Sequence, residues 1–155
     1  MSIIEIGKTV PAFSLKDQHG EAMNIEATRG KRALLSFHPL AFTKVCTRQM
    51  QDLEKHREEF ETLGAVAFGL SVDSVPCKHA WAKDIGVKET RLLSDFWPHG
   101  GVAKQLGIFR EADGFSERAV VLLDEQGVVR FTKVYPMGEV PDRAEILEQL
   151  KKLDN

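Results

Sequence analysis

At 155 residues the chain is long enough for a single domain, residues 1–155, that buries about 70% of its unfolded surface without disulfide or metal staples. With 21 basic against 23 acidic residues and a net charge of −2, it carries no basic stripe or acidic tail, which argues against nucleic acid or a membrane surface as partner. Its two cysteines are too few for a secreted disulfide framework, and no apolar run approaches a membrane span.

Met1 to Val10 lacks a basic segment leading into an apolar stretch, so the cytoplasm is the expected location. Val10 to Ile25 reads as a β-hairpin: Phe13 and Leu15, a turn through Asp17-Gln18-His19-Gly20, then Met23 and Ile25. Ala33, Leu34, Leu35 and Phe37 predict a buried strand that stops at Pro39, whose missing N–H ends a sheet ladder. Cys46, Met50, Leu53, Phe60 and Leu63 recur at helical spacing, so one long helix is expected, with Thr43 as N-cap and Leu63-Gly64 as its stop. Ala65 to Val72 predicts a second buried strand. Asp73 or Ser74 then caps a helix running through Trp81 to about Ile85 and closed by Gly86. Strand, helix, strand without a hairpin turn implies a parallel βαβ unit. Leu92-Leu93 is a short apolar segment, and Val102 to Leu106 a brief helix. Ala119 to Leu123 and Val128 to Val134 form an antiparallel hairpin around Asp124-Glu125-Gln126-Gly127. Asp142, with Glu145 three residues on, opens a last helix carrying Ile146, Leu147, Leu150 and Leu153 on one face. No internal repeat, low-complexity tract or linker interrupts this order. It matches a thioredoxin-like α/β fold, a three-layer sandwich with an N-terminal β-hairpin extension.

The chemistry concentrates at Cys46. A thiol in the first turn of a helix meets unpaired backbone N–H groups and the positive end of the helix dipole, and both favour thiolate. Thr43, three residues earlier, lies on the same face. An isolated cysteine is more often a small core residue. The spacing Pro39-Leu40-Ala41-Phe42-Thr43-Lys44-Val45-Cys46 after a buried strand favours a reactive thiol instead.

That segment resembles the peroxidatic motif of the peroxiredoxins, P-x-x-x-T/S-x-x-C. Phe115-Ser116-Glu117-Arg118-Ala119 is similar to the family's second signature, in which an arginine reaches the peroxidatic sulfur. Leu92 to Gly100 (LLSDFWPHG), with Gly138-Glu139-Val140, most resembles the AhpE-like branch, usually called one-cysteine. The resemblance implies the thioredoxin-like fold, Cys46 as peroxidatic cysteine, Thr43 and Arg118 as its activators, Pro39 as shield of the pocket, and a homodimer. It also implies a thiol peroxidase without bound cofactor or metal. Such an enzyme acts on hydrogen peroxide and organic hydroperoxides through a cysteine sulfenic acid, recycled by a thioredoxin- or glutaredoxin-like reductant.

There are departures from the family pattern. His38 stands where Tyr or Phe is common and Gln49 where Glu is common, so both are candidate pocket residues. Cys77 has no counterpart in strictly one-cysteine members and is either a resolving thiol or a spectator, while position 51, where some members place a resolving thiol, is Gln. Arg118 taken alone reads as a solvated strand-edge side chain. Trp81, Phe96 and Trp97 read as core or dimer contacts. Two other classes compete. One is a metal module on Cys46, Cys77, His79 and His38, in which only Cys77-x-His79 has a suggestive spacing. The other is a non-enzymatic peroxide sensor or holdase using the same cysteine switch.

Overall fold

The computed structural model describes residues 2–155; residue 1 of the N-terminal stretch considered above lies outside the described residues. Strands β1 (Ser14–Lys16) and β2 (Ala22–Asn24) form the expected hairpin, with Leu15 opposite Met23. Its turn is tied by Asp17, whose Oδ1 accepts the N–H groups of His19 at 2.8 Å and Glu21 at 3.1 Å. Then follow β3 (Arg32–Phe37), α1 (Lys44–Lys55), α2 (Arg57–Thr62), β4 (Ala65–Ser71), α3 (Val75–Ile85) and β5 (Arg91–Ser94). The remainder comprises α4 (Gly101–Gln105), the two-residue strands β6 (Phe109–Arg110) and β7 (Phe115–Ser116), β8 (Arg118–Leu123), β9 (Val129–Tyr135) and α5 (Arg143–Lys152).

The main sheet has the order β2-β1-β5-β4-β3-β8-β9. Strands β3, β4 and β5 are mutually parallel, as the absence of hairpin turns between them requires, whereas β1 joins β5, and β8 joins β3, antiparallel. Pleating sorts the central strands onto two cores. Ala33, Leu35, Phe37, Ala119 and Val121 pack with Val102 and Ala103 of α4, and with Leu106 just after it, on one face. Leu34, Val120 and Leu122 meet Cys46, Met50, Leu53 and Phe60, together with Trp81 of α3 and Ile146 and Leu150 of α5, on the other. This mixed sheet with helices on both faces is the expected thioredoxin-like sandwich with its N-terminal hairpin.

Two local expectations need correction. The predicted long helix is broken at His56 (φ −106°, ψ 21°), whose ring bonds the carboxylate of Glu59 and lies 3.6 Å from that of Asp52. The apolar spacing carries through the break, so periodicity gave no sign of it. The hairpin of β6 and β7 was not expected either, because two-residue strands are too short to show alternation. No helix among the described residues is long and apolar enough to cross a membrane.

Candidate active site

The site is built where β3 gives way to α1. Strand β3 ends at Phe37, and the His38 N–H still reaches Leu70 O at 3.0 Å before the buried Pro39 ends the ladder. Phe42 takes a left-handed backbone (φ 64°), which is strained for a side chain with a Cβ, and turns the chain into α1. The carboxylate of Asp73, on the loop after β4, fixes that turn by accepting the Ala41 N–H at 2.8 Å. Cys46 is then the third residue of α1 and 1% exposed. Helix α1 lies so close on β4 that a Cβ added at Gly69 would collide with Met50 Sδ, and this contact sets the height of the cysteine above the sheet.

Arg118 opens β8. Val120 and Leu122 point to the helix-covered face that holds Cys46, and two-residue alternation puts Arg118 there as well. At 3% exposure it is no solvated edge residue. Its Nη1 donates to Cys46 Sγ at 3.3 Å and to Gln49 Oε1 at 2.7 Å, while Nε and Nη2 donate to Met137 O at 3.2 and 3.0 Å. Gln49, one turn beyond Cys46, is locked by donating its amide N–H to Ser36 Oγ at 2.8 Å and Phe37 O at 3.1 Å. The guanidinium is therefore held in one plane by neutral acceptors, with its charge left for the sulfur.

Thr43 occupies the N-cap backbone position (φ −106°, ψ 152°), but its side chain makes no capping bond. Its hydroxyl donates instead to Leu40 O at 2.7 Å, and the side chain is exposed. The first turn thus keeps its N–H groups free, and the Thr43 oxygen keeps its lone pairs.

His38 and Lys78 are both fully enclosed, with Nζ of Lys78 3.5 Å from Nε2 of His38. Burial, then the charges of Lys78 and Arg118, hold the imidazole well below the ordinary histidine range, so it is neutral. Burial likewise lowers Lys78 to about 8. Trp81 lies beneath, its ring 5.2 Å from that of His38 and its Nε1 donating to Thr47 Oγ1 at 3.2 Å. Cys77 sits in the first turn of α3, half-buried, with Sγ 3.8 Å from Asp73 Oδ1; burial and the Asp73 charge push its thiol up. Both cysteines are free. Phe96 and Trp97 are 51% and 82% exposed, outside the core that takes in Trp81. His79 turns to Gln18 O on the surface, far in character from the enclosed His38. Among the described residues no group of three or more His, Cys, Asp or Glu is placed to hold a metal ion.

The AhpC/TSA family model matches residues 6–132. The chain belongs to the AhpC/TSA family. It is a peroxiredoxin, an enzyme of the peroxide-reducing class. Alkyl hydroperoxide reductase E of Mycobacterium bovis is 38% identical over 142 residues, 91% of this chain and 92% of that protein, in line with the AhpE-like resemblance. A peroxiredoxin of Pyrococcus abyssi is 32% identical over 158 residues, covering 97% of this chain and 72% of its own. The crystal structure of peroxidoxin BcpB from Mycobacterium tuberculosis superposes with a TM-score of 0.85 at 25% identity, covering 97% of this chain and 98% of that one.

Sequence reasoning missed Lys78, Ser36, Asp73 and the Met137 carbonyl. Lys78 had a signal: it occupies the stripe of Trp81, Ala82 and Ile85, the buried side of α3, where a lysine is out of place. Ser36 shares its parity with Leu34 and so faces the helices. The Met137 carbonyl had none, because it comes from a loop after β9.

Proposed function

We propose that this peroxiredoxin reduces hydrogen peroxide and organic hydroperoxides by attack of the Cys46 thiolate on the O–O bond. The sulfur takes up one oxygen to become sulfenic acid, the other oxygen leaves as water or alcohol after gaining a proton, and an external thiol or dithiol returns the two electrons. The observation that carries this is the 3.3 Å contact between Arg118 Nη1 and the enclosed Cys46 Sγ. Thiolate formation by itself does not suffice. With a Brønsted slope of about 0.45, taken over from thiol–disulfide exchange, most of the gain in thiolate is offset by lost nucleophilicity. The remainder must come from donors fixed where charge develops. Arg118 and the free N–H groups of the first turn of α1 are such donors, and each preorganised donor is worth roughly 3 kcal/mol.

Thr43 takes a different part from the donor its position first suggests. Its proton is engaged by Leu40 O, so its oxygen accepts the O–H of the incoming hydroperoxide and orients the far oxygen. Pro39, buried and without an N–H, keeps competing water from the sulfur. Gln49 orients Arg118, and His38 lines the pocket floor as a neutral group. Cys77, held protonated beside Asp73, is no rival to Cys46 for peroxide. Its place in the first turn of α3, at the end of the sheet that carries α1, suits a resolving thiol once the turn around Cys46 unwinds to bring the two Cα atoms within about 7 Å. The reading further includes one domain, a cytoplasmic homodimer through the exposed Phe96 and Trp97, no bound cofactor or metal, and a thioredoxin- or glutaredoxin-like reductant. The non-enzymatic sensor or holdase has no support in the fold or the relatives.

Mass spectrometry after one equivalent of peroxide tests the scheme. A loss of two hydrogens shows Cys77 resolving Cys46, and a gain of one oxygen on Cys46 shows a one-cysteine cycle. An unchanged mass at Cys46 would overturn it.

A further inference from the structure

Residues 39–42 carry the chain from β3 to the start of α1, and few polar contacts hold them. Pro39 has no N–H to give, the Leu40 carbonyl takes the nearby hydroxyl of Thr43, and Phe42 sits at φ 64° and 56% exposed. Among the described residues, one hydrogen bond ties this turn to another element: the Ala41 N–H donates to Asp73 Oδ2 at 2.8 Å. A left-handed backbone at a residue with a Cβ persists only where its surroundings over-determine it. Apart from the packing of the buried Pro39 and Ala41, that task falls to one carboxylate.

Asp73 is itself firmly placed. Its carbonyl accepts the Ser94 hydroxyl at 2.7 Å from the end of β5, and its Oδ2 also accepts the Ser71 hydroxyl at 2.5 Å from the end of β4. The other carboxylate oxygen, Oδ1, faces Cys77 Sγ at 3.8 Å in the first turn of α3. One side chain thus holds the turn before Cys46 on one oxygen and meets the second thiol on the other. Both contacts lie on the way to a disulfide, because Cys46 and Cys77 join only when their Cα atoms come within about 7 Å.

We propose that Asp73 is a positioning residue that latches the 39–42 turn to the loop leading into α3, so that opening of its bond to Ala41 gates the joining of Cys46 to Cys77. The proposal rests on the reading of Cys46 as the reacting thiol and of Cys77 as the resolving one. In the gated step the Cys77 sulfur attacks the sulfenic sulfur of Cys46. The S–S bond forms, the S–O bond breaks, and the hydroxyl leaves as water with the Cys77 proton. Peroxide attack draws on the closed majority of molecules and the disulfide step on the open minority, so loosening the latch acts unequally on the two steps.

Rapid-quench mass spectrometry with one equivalent of hydrogen peroxide follows both steps in the native chain, Asp73→Ala and Asp73→Asn. Asparagine keeps an oxygen for the Ala41 N–H but, like alanine, removes the negative charge beside Cys77. Loss of one hydrogen bond to a charged acceptor should raise the open population, and with it the rate of disulfide formation, about tenfold in Asp73→Ala. Gain of the first oxygen should change less than about threefold there, and Asp73→Asn should stay within about threefold of native in both steps. Equal acceleration in the two variants would show that the charge beside Cys77 sets the rate and the latch does not. Disulfide formation in Asp73→Ala, folded by circular dichroism, at or below the native rate overturns the proposal as well. Hydrogen exchange of the reduced protein tests the latch without peroxide. The Thr47 amide, bonded to Thr43 O at 2.9 Å, closes the first turn of α1 and should exchange about tenfold faster in Asp73→Ala but not in Asp73→Asn. Equal exchange in the native chain and Asp73→Ala refutes the latch. The two arms separate the failures. A native chain that gains no oxygen removes the reading of Cys46, one that keeps the oxygen removes Cys77 as resolving thiol, and the gate falls with either, while exchange still reports whether Asp73 holds the turn.

Discussion

Arg118→Met separates an arginine that only charges the thiol from one that stabilises the departing oxygen. Methionine keeps much of the side-chain length, so the change removes donors more than volume. The native guanidinium bonds Cys46 Sγ at 3.3 Å, Gln49 Oε1 at 2.7 Å and Met137 O at 3.0 and 3.2 Å. Loss of one preorganised donor on the developing oxide is worth about 3 kcal/mol, or roughly 150-fold in rate. Leaving the Gln49 amide oxygen without its donor costs a further ~1–3 kcal/mol, but in stability rather than in rate. The assay pairs two electrophiles: hydrogen peroxide, followed by stopped flow, and iodoacetamide, followed by alkylation of Cys46. Both need thiolate, but only peroxide expels an oxide. The peroxide rate should therefore fall at least tenfold further than the alkylation rate. Equal losses would show that Arg118 does no more than favour the thiolate, and the argument for an oxide cradle would fail.

Gln49→Leu removes the acceptor that aims Arg118 and the donors to Ser36 and Phe37, so peroxide reduction should slow about tenfold while urea unfolding shows a loss on the order of 1–3 kcal/mol. An unaltered rate would show that Arg118 holds its place without Gln49. Lys78 titrates near 8 when folded against 10.5 in the ordinary case, so the folded state holds fewer protons than the unfolded one between those values and stability rises with pH there. Below pH 8 the buried ammonium costs about 3 kcal/mol, and Lys78→Met should be more stable than the native chain by that order at pH 7 and no longer so above pH 10.5. Matching unfolding curves at both pH values would contradict it. Cys77→Ser should leave the first oxidation by peroxide intact and convert a disulfide product into stable sulfenic acid. The same gain of one oxygen on oxidation in the native chain as in the variant would make Cys77 a spectator.

Much of this was legible in the residues because it depends on short-range rules. The order of elements followed from apolar periodicity and turn chemistry, and Ser74, Gly86 and Asp142 cap their helices as their residue types predict. The pairing of Cys46 with Arg118 came from resemblance to two motifs, since a strand start and a helix start 72 positions apart carry no local sign of meeting. What could not be read depends on where side chains point. Thr43 sits at the N-cap position, but its hydroxyl donates to Leu40 O and accepts no first-turn N–H, an orientation that spacing does not decide. The enclosure of His38 and Lys78 arises from the convergence of β3 with α3, a tertiary contact. The break at His56 is masked because Leu53, Phe60 and Leu63 keep helical spacing across it.

The central claim is that one sulfur, that of Cys46, performs the reduction. Single-turnover consumption of hydrogen peroxide by stoichiometric protein tests it without any reductant. The native chain should destroy about one equivalent in a rapid phase, and Cys46→Ser, folded to the same circular dichroism spectrum and with Cys77 intact, should destroy none in that phase. A rapid phase surviving in Cys46→Ser would place the chemistry elsewhere in the molecule.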